Sequence, residues 1–185
     1  VREIVANALI HQDFTVGGAG PVIEIYKDRI EVINPGNTLI ARDRMIDERR
    51  SRNEKLAKSM RDLGFCEERG GGIDKAIIDI EERFLPAPLF MASENSMRVV
   101  IFGPKNFAEL SKADKTWSCF CHCVVRWIRH DYMSNTTLRE RFSLPPQDYQ
   151  SISAVIADAR KERRIIAAEP NQGKRNAKYV PYWVR

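Results

Sequence analysis

Glu3, Asn7 and His11 fall four residues apart in V-R-E-I-V-A-N-A-L-I-H-Q-D-F, the stretch 1–14. On a helix that spacing puts a carboxylate, an amide and an imidazole on one face. Ile4, Val5, Ala8 and Leu9 supply apolar surface beside them. Such a helix is built around a pocket; the competing reading is a surface helix with solvated polar groups. Further along, Gly70, Gly71 and Gly72 precede Ile73, Ala76, Ile77, Ile80 and Phe84, which have helical spacing. Glycines ahead of a helix let backbone N–H groups form an anion cradle, although a triple glycine also serves as a flexible turn.

Cys119, Cys121, His122 and Cys123 invite a metal reading, but all fall inside one expected helix. Cys119 and Cys123 share a face and Cys121 points elsewhere, so the spacing does not close a tetrahedral zinc site. Buried, reduced thiols are expected instead, and the lack of a regular disulfide spacing fits a reducing cytoplasm. The sequence has no run of about 18 apolar residues, so no transmembrane helix is expected.

The elements that must position these residues follow from the apolar pattern. Residues 22–32 read as two short strands joined at Lys27-Asp28-Arg29, the second running into a loop at Ile33-Asn34-Pro35-Gly36. Residues 96–102 read as a last strand before Gly103-Pro104, giving a domain over 1–104 and another over 105–185. Charge divides at the same place: residues 1–104 carry a net −2 and residues 105–185 a net +7. A basic excess confined to one part points to a polyanionic partner there.

In order and content, several segments resemble one family. They are the helix with Glu3 and Asn7, the strand pair ending in Asn34-Pro35-Gly36, Arg50-Ser51-Arg52-Asn53 leading into a helix, and Glu67-Glu68-Arg69-Gly70-Gly71-Gly72-Ile73. The resemblance, over roughly 1–103, is to the C-terminal domain of RecG-related helicases or transcriptional regulators, a divergent branch of the GHKL ATP-binding fold. It implies an α+β architecture with a GHKL-like (Bergerat-type) α/β sandwich. Glu3 would activate water, Asn7 would bind Mg²⁺, Asn34 and Gly36 would stand where D-x-G reads adenine, and Gly70 to Gly72 would hold phosphate. An Asn in place of the Asp loses the charge but keeps an acceptor. The glycine motif is shortened too, so ATP and Mg²⁺ are the expected cofactors of a divergent site. Relatives of this domain follow an upstream Schlafen-type AlbA domain, and the start inside a helix without Met suggests a fragment of a longer protein.

The second part reads as helices over 112–131, 135–142 and 147–164, then strands over 165–168 and 179–183 around a basic loop. Asn135 is the expected N-cap of the second helix. The order resembles a winged helix-turn-helix domain, whose third helix would enter the major groove while the wing meets phosphate. Gln147, Gln150, Ser151 and Ser153, with Ala154, would face base edges, and Lys174, Arg175 and Lys178 would meet phosphate. A winged helix used for protein docking is the alternative.

The sequence has no G-x-x-x-x-G-K-[ST], so helicase activity is not expected of this chain. Two functions stay open: a DNA-binding transcriptional regulator with a divergent nucleotide domain, or an ATP-hydrolysing enzyme recruited to nucleic acid. Duplex DNA, a nucleotide and a second copy of the chain are the expected partners.

Overall fold

A computed structural model describes residues 1–17, 20–48, 50–66, 72–173 and 176–184. The chain divides into two compact units, one of residues 1–79 with 88–103, the other of residues 80–87 with 104–185.

The first unit contains α1 (Arg2–His11), β1 (Val22–Ile25), β2 (Arg29–Pro35), α2 (Glu54–Asp62), most of α3 (Gly72–Glu82), β3 (Leu89–Ala92) and β4 (Ser96–Phe102). Its strands form one antiparallel sheet in the order β1-β2-β4-β3. The register pairs Ile23 with Val32, Val32 with Val99, and Phe90 with Val99, so these β-branched and aromatic side chains share one face. Val32, Val99 and Phe90 are buried there. Glu31 lies on the opposite face, where Arg29 Nε donates to it at 2.6 Å and Arg98 also donates to it. These guanidinium groups hold the Glu31 carboxyl below its usual range.

Asn34 and Pro35, expected in a loop, belong to β2 and pair with Met97 and Ser96. Proline is tolerated here because it ends the strand. Its carbonyl turns outward and accepts from the Asp13 N–H at 2.8 Å. The turn comes one residue later at Gly36, whose φ of +94° is in the region that favours glycine.

The second unit contains α4 (Lys112–Ile128), α5 (Asn135–Arg141), α6 (Tyr149–Lys161) and an antiparallel pair of β5 (Ile165–Ala167) and β6 (Tyr179–Pro181). An isolated bridge joins Met133 to Tyr179. Phe120, Val124, Leu138, Ile152, Ile156 and Ala159 form its core, which is where the 3.6-residue apolar spacing sends them. The boundaries differ from the sequence expectation for local reasons. α4 stops at Ile128, two residues before the left-handed His130 (φ 58°). α5 is capped by Ser134 rather than Asn135, because Ser134 Oγ accepts from the Thr137 N–H. α6 begins at Tyr149, behind a 3₁₀ turn over Pro146–Asp148 that holds Gln147, and ends ahead of the left-handed Arg163.

Residues 80–87, read from sequence as part of the first domain, cluster with the second unit. His122 Nδ1 lies 2.9 Å from Glu81 Oε2, Arg141 donates to the Leu85 carbonyl at 2.6 Å, and the Ala87 N–H donates to Ser118 Oγ. Cys119, Cys121 and Cys123 are buried in α4, and burial pushes all three thiols up, which favours the protonated form. Among the described residues no helix is long and apolar enough to cross a membrane.

Candidate functional site

α1 buries Ile4, Ala6, Ala8 and Ile10 and leaves Leu9 exposed. Its polar face, carrying Glu3, Asn7 and His11, lines a cavity of about 170 Å³ in the first unit. Asn34, Met97 and Val99 from the sheet line it too, as do Ala57 and Arg61 from α2 and Gly72 from α3.

The polar chemistry gathers around Glu3. Its side chain is 6% exposed. Arg2 donates to Oε1 at 2.9 Å, whereas the buried Oε2 has no hydrogen-bond partner. Asn7 Nδ2 donates to the Glu3 carbonyl at 2.9 Å, which leaves Oδ1 as the acceptor that a cation could use. Gly72 completes the cluster. A Cβ there would come within 2.6 Å of Asn7 Nδ2 and 3.5 Å of Glu3 Oε2, so a side chain at this position would have to push the Asn7 amide aside. Burial, then the nearby Arg52, holds His11 below its ordinary pKa, which keeps the imidazole neutral near pH 7.

Asn34 is buried and lines the cavity, with Nδ2 directed at the Pro35 carbonyl at 3.4 Å. Gly36 does not line it. A Cβ at Gly36 would meet Asp13 Cβ at 2.5 Å, so this glycine permits a backbone contact with the segment after α1. Gly70 and Gly71 lie outside the described residues.

Sequence reasoning gave the segment ahead of α2 no role, and it proves to be one wall of the cavity. Arg52 donates to Asp13 Oδ2 at 2.9 Å and to the Asn37 carbonyl at 2.7 Å. Asn53 Nδ2 donates to the carbonyls of Ile10 and Gln12 at the end of α1. Arg50 and Ser51 line the cavity beside them. The pair Arg50 and Arg52 just ahead of a helix start was the available signal.

In the second unit Gln147, Gln150 and Ser151 are exposed. Ser153 is half-buried and accepts from Asn135 Nδ2 at 3.0 Å, so its hydroxyl is held by α5. Lys178 is exposed, with Nζ 5.0 Å from the Tyr132 ring centroid. Lys174 and Arg175 lie outside the described residues. Tyr149, 47% exposed at the start of α6, is a surface aromatic that sequence reasoning did not single out.

Residues 18–101 match the family described as "Putative ATP-dependent DNA helicase recG C-terminal". That stretch is related to ATPase-like, RecG-type domains. It takes in Asn34, Gly36, the Arg50–Asn53 segment and the glycines, whereas α1 and the second unit lie outside the matched span. Among solved structures, the DIP2311 protein from Corynebacterium diphtheriae has a similar fold, with a TM-score of 0.52 and 12% identity. The similarity covers 97% of this chain and 49% of that one, so the chain spans about half its length. No curated protein matches the chain.

Proposed function

We propose that this chain is a DNA-binding, regulator-like protein whose first unit binds a purine nucleotide with Mg²⁺ and whose second unit is a winged helix contacting duplex DNA. The observation that carries the nucleotide reading is the convergence of Glu3, Asn7 and Gly72 on one cavity, with Glu3 Oε2 buried and unmatched. A buried carboxylate oxygen without a partner costs free energy, and a ligand or its water would answer it.

The residues present fit the cofactors. Asn7 Oδ1 is an oxygen ligand of the kind Mg²⁺ takes alongside phosphate, and Asn34 offers an acceptor or donor to a base edge. Bound Mg²⁺ would neutralise charge on phosphate oxygens. Glu3 Oε2 offers an acceptor to a bound water, and Gly72 keeps the start of α3 free of a side chain at that point. The cavity, about 170 Å³, is below the roughly 300–1,000 Å³ of common ligand pockets. It would enclose part of a nucleotide, so binding is expected to be weak.

For the second unit, support comes from the order of α4, the Met133 bridge, α5, α6 and the β5–β6 pair, together with the +7 charge of residues 105–185. The exposed Gln147, Gln150 and Ser151 would face bases, with Lys178, Lys174 and Arg175 at the backbone. ATP hydrolysis is a second reading, favoured by the unmatched Glu3 Oε2.

Calorimetry with ATP, with and without Mg²⁺, tests the nucleotide reading. Mg²⁺-dependent heat is expected, and its absence refutes the reading. If phosphate is released, Glu3→Ala should cut turnover by about 10²–10⁴-fold and leave affinity largely unchanged. Turnover that survives Glu3→Ala would remove the enzyme reading.

A further inference from the structure

We infer that the phosphate end of the ligand is held by side chains, Arg50 and Ser51 ahead of α2 and Arg61 on α2, in addition to any backbone cradle at the glycines. The inference rests on the nucleotide reading and names the groups that would select a polyphosphate.

Arg50, Ser51 and Arg61 all line the cavity. Among the described residues neither Arg50 nor Arg61 makes an ion pair, whereas the neighbouring Arg52 is committed to Asp13 and to the Asn37 carbonyl. Ser51 Oγ is buried and has no hydrogen-bond partner. Two uncommitted guanidinium groups and an unmatched hydroxyl on one cavity suit an oxyanion, because guanidinium donors form charge-assisted, often bidentate bonds to phosphate.

The backbone that presents them is fixed. Arg52 ties this segment to Asp13 and Asn37, and Asn53 ties it to the carbonyls of Ile10 and Gln12. Arg50 and Ser51 therefore project from a pinned strap and lose less freedom on binding than they would on a loose loop. On α2, Arg61 lies four residues after Ala57, which also lines the cavity, so both occupy the same face of the helix. Two cations make a site for more than one phosphate, and the expected ligand class is a nucleoside di- or triphosphate rather than a nucleoside.

The test titrates the full chain with ATP, adenosine and inorganic tripolyphosphate, comparing wild type with Arg50→Gln/Arg61→Gln and with Arg50→Lys/Arg61→Lys. The glutamine variant is expected to bind ATP and tripolyphosphate about tenfold more weakly for each lost charge-assisted bond, with adenosine unchanged. The lysine variant should recover much of the loss and shows whether the fold tolerates the changes. Wild-type affinity for ATP and tripolyphosphate in the glutamine variant overturns the inference and leaves the nucleotide reading intact. Tripolyphosphate binding that depends on the arginines, with ATP no tighter than tripolyphosphate, upholds the arginine–phosphate contacts but overturns a nucleoside di- or triphosphate as the ligand, and the nucleotide reading with it. A wild-type chain that binds none of the three refutes both.

Discussion

Each unit holds a carboxylate largely out of solvent, Glu3 in the first and Glu81 in the second, and they treat it differently. In the first, Glu3 has one oxygen met by Arg2 and the other unmatched beside open space, with the unmatched Ser51 hydroxyl on the same cavity. In the second, Glu81 has His122 at 2.9 Å and Arg141 at 3.8 Å, and Arg141 also donates to the Leu85 carbonyl. Glu81 Oε1, Arg141 Nε and His122 Nε2 lack hydrogen bonds just as Glu3 Oε2 does, but Glu81 Oε1 has the Arg141 guanidinium 3.8 Å away and lines no described cavity. Buried charge alone therefore does not mark a ligand site, since structural ion pairs look similar. An unmatched oxygen facing a cavity is the more specific sign. Glu81 and Arg141 read as a fastener for residues 80–87.

The largest effect should come from breaking that fastener. The Arg141 side chain is 2% exposed. Burial lowers its pKa and the Glu81 charge opposes that shift. Arg141→Ala leaves the Glu81 carboxylate buried without its cation, which typically costs about 3–5 kcal/mol. Urea unfolding of the full chain should show a loss of that order. A loss under about 1 kcal/mol would mean that Glu81 is solvated, and the contrast between the units would fall.

The same contrast explains what the sequence could reveal. The polar face of α1 was legible because a spacing of four is a local property. The wall at Arg50 to Asn53 was not, because its partners Asp13 and Ile10 lie 39 and 43 residues away. The placement of residues 80–87 depends on His122 and Arg141, which lie 41 residues from Glu81 and 56 from Leu85. Pro35 joined β2 because β4, far along the chain, supplies the pairing. Ser134 and Asn135 are both good caps by type, and the bond from the Thr137 N–H selects the serine. Long-range contacts decided the wall, residues 80–87 and Pro35, whereas the cap and the ends of α4 and α6 turned on local geometry.

A smaller effect on stability, with a sharper one on binding, is expected from Gly72→Ala. The new Cβ would stand 2.6 Å from Asn7 Nδ2, and overpacking of this kind costs about 1–3 kcal/mol. The better helix propensity of alanine offsets up to about 1 kcal/mol of it. Net destabilisation should stay below about 2 kcal/mol, while displacing Asn7 should weaken Mg²⁺-dependent ATP binding by about tenfold, or 1.4 kcal/mol. Calorimetry and urea unfolding on the same variant separate the two. Unchanged ATP affinity would show that the Glu3–Asn7–Gly72 cluster is packing alone.

The smallest effect concerns the surface of the second unit. If the polar interior there is structural, its ligand contacts must come from exposed groups, and Lys178 is one that the structure describes. Its Nζ lies 5.0 Å from the Tyr132 ring centroid, an exposed cation–π contact worth about 0.5–1 kcal/mol, which it would give up to reach a phosphate. Lys178→Ala should therefore weaken duplex binding modestly and to a similar degree for every sequence. It should also make the slope of log affinity against log salt shallower by about one unit, the signature of one lost phosphate contact. The unfolding midpoint should barely move, because the side chain is exposed and makes no buried ion pair among the described residues. Fluorescence anisotropy with a labelled duplex at several salt concentrations measures the slope directly. A wild-type slope in the variant would place the DNA contacts elsewhere on the unit. A loss that differs between sequences would make Lys178 a reader of bases instead of backbone.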